Sequence, residues 1–203
     1  MAEFARRPPA RIEAGWGAHE VRTGEAASVH PFAGNLEHSA MKYTVSIEIA
    51  LPRERVVQLL ADPAHLPKWL RGLVLHEPMS GVHGQVGTTS RVVLQMGQQK
   101  MEGTETITRR EPANLHGIPK DGVVHFDREI VVTGMWSAAR ERLTEAGPET
   151  TLWVSENEYR FSGLLMRLAG LFMRSAFRKQ SLQHMQDFKA FAEQGTDVRE
   201  AKG

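Results

Sequence analysis

The sequence predicts an α+β chain in which one long C-terminal helix lies on a curved, seven-stranded antiparallel sheet. Three observations predict it. A stretch of period two at residues 43–51 opens the ordered part. Strands and turns then fill residues 73–161, punctuated by glycine and proline. Residues 164–194 carry an apolar stripe at spacings of three and four, too hydrophobic for a helix bathed in water on all sides.

Each element has its own signal. Tyr43, Val45, Ile47 and Ile49 alternate with Thr44, Ser46, Glu48 and Ala50, which makes a half-buried strand. Pro52 suits the start of a helix whose apolar face is Val56, Val57, Leu59 and Leu60. Asp62-Pro63 reads as a cap followed by a fixed first position, opening a second short helix with Leu66, Trp69 and Leu70. Strands are predicted at 73–77, 90–96, 101–110, 123–132, 135–144 and 150–161, and their tight connections imply an antiparallel meander. On the last strand Trp153, Tyr159 and Phe161 share one face, expected inward. The final helix aligns Met166, Gly170, Met173, Phe177, Ser181, His184, Phe188 and Phe191 on one stripe, and Gly195 follows as a stop.

Residues 1–40 show neither period; they are expected to form a disordered extension, either upstream of a start at Met41 or as a flexible tail. Residues 41–195 are expected to be one domain, and 196–203 a flexible tail. The 203 residues can bury a core without staples. With 25 basic against 24 acidic residues there is no electrostatic footprint for nucleic acid. Cysteine is absent, which excludes disulfides, thiolate metal sites and cysteine nucleophiles and fits a reducing compartment; the cytoplasm is the expected location. No stretch is long and apolar enough to predict a transmembrane helix. His76 with His83, and His116 with His125, lack metal-ligand spacing. No phosphate loop or nucleophile elbow is present, so no metal and no cofactor are expected.

Strand, two small helices, six further strands and a long last helix is an order that resembles the helix-grip fold of the START-like (SRPBCC) superfamily. That superfamily includes polyketide cyclases, aromatases, lipid-transfer proteins and relatives of the birch-pollen allergen. The resemblance is carried by residues 51–56 (Leu-Pro-Arg-Glu-Arg-Val), Asp62-Pro63, Lys68-Trp69, Glu111-Pro112 and residues 155–159 (Ser-Glu-Asn-Glu-Tyr), together with the final helix. The loop at 114–123 is longer than usual for the family. The resemblance implies a cavity between sheet and helix that takes a hydrophobic or aromatic small molecule, lipid or polyketide-like. Two other functions stay open: a polyketide cyclase or dehydratase using a buried Glu or His, and a module that docks on chaperones.

Candidate residues follow. Met96, Met101, Met135, Met166 and Met173 suit an adaptable apolar wall, or a solid core. Phe177 lies on the same helical stripe. Trp69, Trp136, Trp153 and Tyr159 can form a stacking wall or pack the core; the resemblance places Trp69 at the pocket mouth. Glu105, Arg91, Arg178 and His184 are the polar groups expected to aim inward. Burial would raise the Glu105 pKa and make it an acid, unless an internal arginine neutralises it. Arg91 and Arg178 are candidates to anchor a ligand, Arg178 by gripping a carboxylate. Glu105 and His184 are the candidates for proton transfer. Leu164, Leu165, Leu168, Leu171 and Phe172 leave three partners open for the start of the last helix: the small helices, a second copy of the chain in a homodimer, or a membrane surface.

Overall fold

The computed structural model describes residues 40–162 and 164–200, with the side chains of Met96 and residues 164–172 outside that description. The expected disordered extension and the apolar start of the last helix, so far as it rests on side chains, therefore lie outside the described residues. Strand β1 (Met41–Ile49) is followed by helix α1 (Arg53–Ala61), a single 3₁₀ turn (Pro63–His65) and helix α2 (Leu66–Trp69). Six strands come next: β2 (Leu73–Ser80), β3 (Thr89–Met96), β4 (Gln99–Glu111), β5 (Val124–Val132), β6 (Met135–Gly147) and β7 (Thr150–Phe161). Helix α3 (Leu164–Gln194) closes the order. All pairings are antiparallel, and the sheet runs β1-β7-β6-β5-β4-β3-β2. This is the helix-grip α+β fold.

The alternation read from the sequence governs burial. In β1, Met41, Tyr43, Val45 and Ile49 are buried while Lys42, Thr44, Ser46 and Glu48 face water. Asp62 caps the 3₁₀ turn by accepting the Ala64 N–H at 2.9 Å. Helix α3 lies chiefly on β1, with further contacts to α2 and β7. Its C-terminal half makes a solid core. Phe188 is fully buried, with the Trp69 and Trp153 rings edge-on to it at 5.3 and 5.4 Å. Ile49, Val56, Val57 and Leu143 fill the surrounding volume.

Two connections are tied down by hydrogen bonds. The 114–123 loop is pinned from α1: the Arg53 guanidinium donates to the carbonyls of Ile118 (3.1 Å), Pro119 (2.7 Å), Lys120 (3.2 Å) and Gly122. Residues 195–200 follow α3. Val198 is buried and its N–H donates to the Lys68 carbonyl at 2.8 Å.

Candidate functional site

The inner face of the sheet and α3 do not meet everywhere. Between them lies a cavity of about 240 Å³. Strand register arranges its wall in tiers. Met101 and Gly103 meet Val132 and Met135 at the first tier. Glu105 stands level with Ile130, Ser137 and Tyr159 at the second. Ile107, Arg128, Ala139 and Asn157 form the third, and Arg110, Phe126 and Glu141 the fourth. Small residues at Gly103, Ser137 and Ala139 leave the space open. Gly103 is also required by the backbone, because a Cβ there would sit 2.6 Å from the Val131 carbonyl oxygen. The facing surface of α3 supplies Phe177, Gln180, Ser181 and His184, and Trp69 and Leu70 close one side.

The first tier is apolar and the next three carry charge. Glu105 accepts from His76 Nε2 at 3.1 Å, and its other oxygen lies 3.9 Å from Arg128. Burial opposes that charge, but His76, Arg128 and His83 outweigh it and hold the carboxyl below the usual carboxylate range. The expected rise is therefore corrected: an ionised neighbour and a hydrogen bond beat desolvation here. Arg128 donates to Glu141 at 3.0 Å. Burial pushes the Glu141 carboxyl up, with Arg128 opposing the rise. Burial lowers His83, and it lowers His184 to about 4, so both imidazoles are neutral at pH 7. At the helix side the Tyr43 hydroxyl bridges Ser181 (2.9 Å) and Tyr159 (3.3 Å). His76 and His83 stack edge to face at 5.6 Å, and no metal-binding cluster occurs among the described residues.

Residues 40–193 match the family described as polyketide cyclase / dehydrase and lipid transport. The chain belongs to that family. Solved structures of the same fold include the aromatase/cyclase Zhui from a Streptomyces species, at 14% identity and a TM-score of 0.61 over 81% of this chain and 99% of that one. They also include norcoclaurine synthase from Thalictrum flavum in complex with dopamine and hydroxybenzaldehyde, at 14% identity and a TM-score of 0.57 over 97% and 99%. Comparison with curated protein sequences finds no match.

In this member of the polyketide cyclase/dehydrase family, Trp69, Met101, Glu105, Tyr159, Phe177 and His184 come together on the cavity wall. Five other candidates do not. Arg91 points to the wet face of β3, where it grips Glu102 with bonds of 2.8 and 3.0 Å; its neighbours Val92 and Leu94 face the cavity instead. Trp136 has the outward parity of β6; it lies under the Arg160 guanidinium (4.6 Å) and donates to Glu129 at 3.1 Å. Trp153 does point inward, but into the solid core against Phe188. Met173 is 38% exposed and Arg178 is exposed, because α3 turns those positions to water. The Met96 side chain lies outside the described residues.

Sequence reasoning missed Arg128, Glu141 and Arg110. Arg128 and Glu141 sit on the same faces as Ile130 and Leu143, so strand parity on β5 and β6 was a usable signal. Arg110 had none. The register of β4 shifts between Ile107 and Arg109, and that bulge sets Arg110 opposite Phe126 on the cavity wall, which Arg109 also borders.

Proposed function

We propose that this chain binds a compact, ring-bearing hydrophobic molecule in the cavity between its sheet and α3. The carrying observation is the space itself: about 240 Å³ bounded by an apolar tier at one end and ordered polar groups at the other. A dry cavity of about 150 Å³ accepts benzene, and drug-sized pockets begin near about 300 Å³. One or two rings suit that interval better than the chains of a membrane lipid. The same fold in norcoclaurine synthase holds dopamine and hydroxybenzaldehyde, both single-ring compounds, which supports the reading.

The test is to fill the space. Naphthol, a neutral bicyclic ring, should bind the wild type with a change in its fluorescence. Ala139→Trp, which projects an indole from the cavity floor, should abolish that binding while the fold persists by circular dichroism. Equal binding by the two proteins would remove the cavity as the ligand site.

A second reading is favoured by one observation. Glu105 is ionised, held by His76, and lines the cavity, with 13% of its side chain accessible. A carboxylate so placed can take a proton from a bound ring or ketone, which is the chemistry of a cyclase or dehydratase. In that reading Glu105 acts as a base, because its proton is already lost at neutral pH.

A further inference from the structure

The charged groups of the cavity wall are not equivalent. Glu105 has His76, and Arg128 has Glu141. Arg109, also at the wall, is paired with Glu111. Arg110 has neither a hydrogen bond nor an ion pair among the described residues. Its guanidinium lies on the Phe126 ring at 3.9 Å, and one of its terminal nitrogens abuts Gly84 so closely that a Cβ there would sit 2.9 Å away. The ring and the glycine backbone hold the planar group by its surface and leave N–H edges unused. A half-buried guanidinium gives up part of its hydration here without gaining an anion. Burial accordingly lowers the Arg110 pKa to about 10, which still leaves it fully charged at neutral pH.

We infer that the cavity's ligand is an acid, a compact ring bearing a carboxylate, and that Arg110 receives the carboxylate while the ring extends toward Met101, Val132 and Met135. This rests on the ligand-binding reading above and adds to it the class of ligand. A carboxylate matches the fork of a guanidinium with two parallel hydrogen bonds, and Phe126 keeps the fork flat and oriented for it. The register supports the direction: Arg110 stands at the fourth tier and the apolar residues at the first, so a carboxylate held at Arg110 leaves its ring pointing along the cavity toward the apolar end.

The experiment uses a matched pair of probes, naphthoic acid and naphthamide, which share a ring and differ in charge. Affinities are measured at neutral pH for the wild type, Arg110→Met and Arg110→Lys. The wild type should bind the acid about 10- to 100-fold tighter than the amide. Arg110→Met should lose that preference while keeping its affinity for the amide, which shows that the cavity is still formed. Arg110→Lys should keep part of the preference, because it keeps the charge and loses the fork. Amide binding without preference for the acid in the wild type would overturn the inference and leave the cavity reading standing. A preference that survives in Arg110→Met would overturn it as well. Failure of both probes to bind the wild type would bring down the cavity reading, and this inference with it.

Discussion

Glu105 shows how neighbours reverse the usual effect of burial. A carboxyl in an apolar wall is ordinarily kept neutral. Here a histidine hydrogen bond at 3.1 Å and an arginine at 3.9 Å keep it ionised. Its folded pKa is depressed, so the stability it contributes is present above the unfolded value and is lost as pH falls through the folded one. Glu105→Gln keeps the shape and removes the charge. The variant should be less stable than the wild type by about 1–3 kcal/mol at pH 7. That gap should close in strong acid, where the wild-type carboxyl is itself protonated. Urea denaturation at both pH values measures it, and a gap of constant size would show that packing, not charge, is at stake. Strand parity with Met101 and Ile107 was enough to place Glu105 inward. Its partners were not legible, because His76 and Arg128 lie on other strands and nothing in local spacing pairs them.

Loops and bulges, not strands and helices, decide the details of this site. Alternation, caps and the stripe on α3 made the order of elements readable, since each depends on residues a few positions apart. The Arg53 clamp joins side chain and carbonyls 65 to 69 positions apart in the chain. The bulge in β4 shifts parity by one residue and so brings Arg110 to the cavity wall. Neither leaves a local trace. The clamp predicts a specific weakness. Arg53 is only 4% exposed, and Arg53→Met would keep much of its bulk while orphaning four carbonyls. The loop should loosen before the sheet does, at a cost of about 2–4 kcal/mol. Tryptic cleavage after the exposed Lys120 should accelerate markedly in this variant under conditions where β5 and β6 keep their amide protection. Unchanged cleavage would mean that Leu115 and Ile118, which pack on the core, hold the loop without the clamp.

The fold formed by β1 to α3 is solid at one end and hollow at the other, and α3 serves both. Its Phe188 and Phe191 close the core, while Phe177, Ser181 and His184 face the cavity. His184 stands where the two meet, and it makes the hollow end sensitive to acid. Burial lowers its pKa from 6.5 to about 4; Arg128 and Arg71 add to the fall, and Asp187 opposes it. The neutral imidazole belongs to the folded state, so the unfolded chain binds the proton first. Stability from this group is complete above the unfolded pKa near 6.5 and is lost as pH falls toward 4, by on the order of 2–3 kcal/mol. Glu141 acts in the opposite sense: its raised folded pKa means that acid relieves its burial. The two effects separate by variant. His184→Gln should hold its urea midpoint between pH 6.5 and 5 while the wild type declines across the same interval. A parallel decline in both proteins would trace the acid sensitivity to other groups and leave His184 as packing alone.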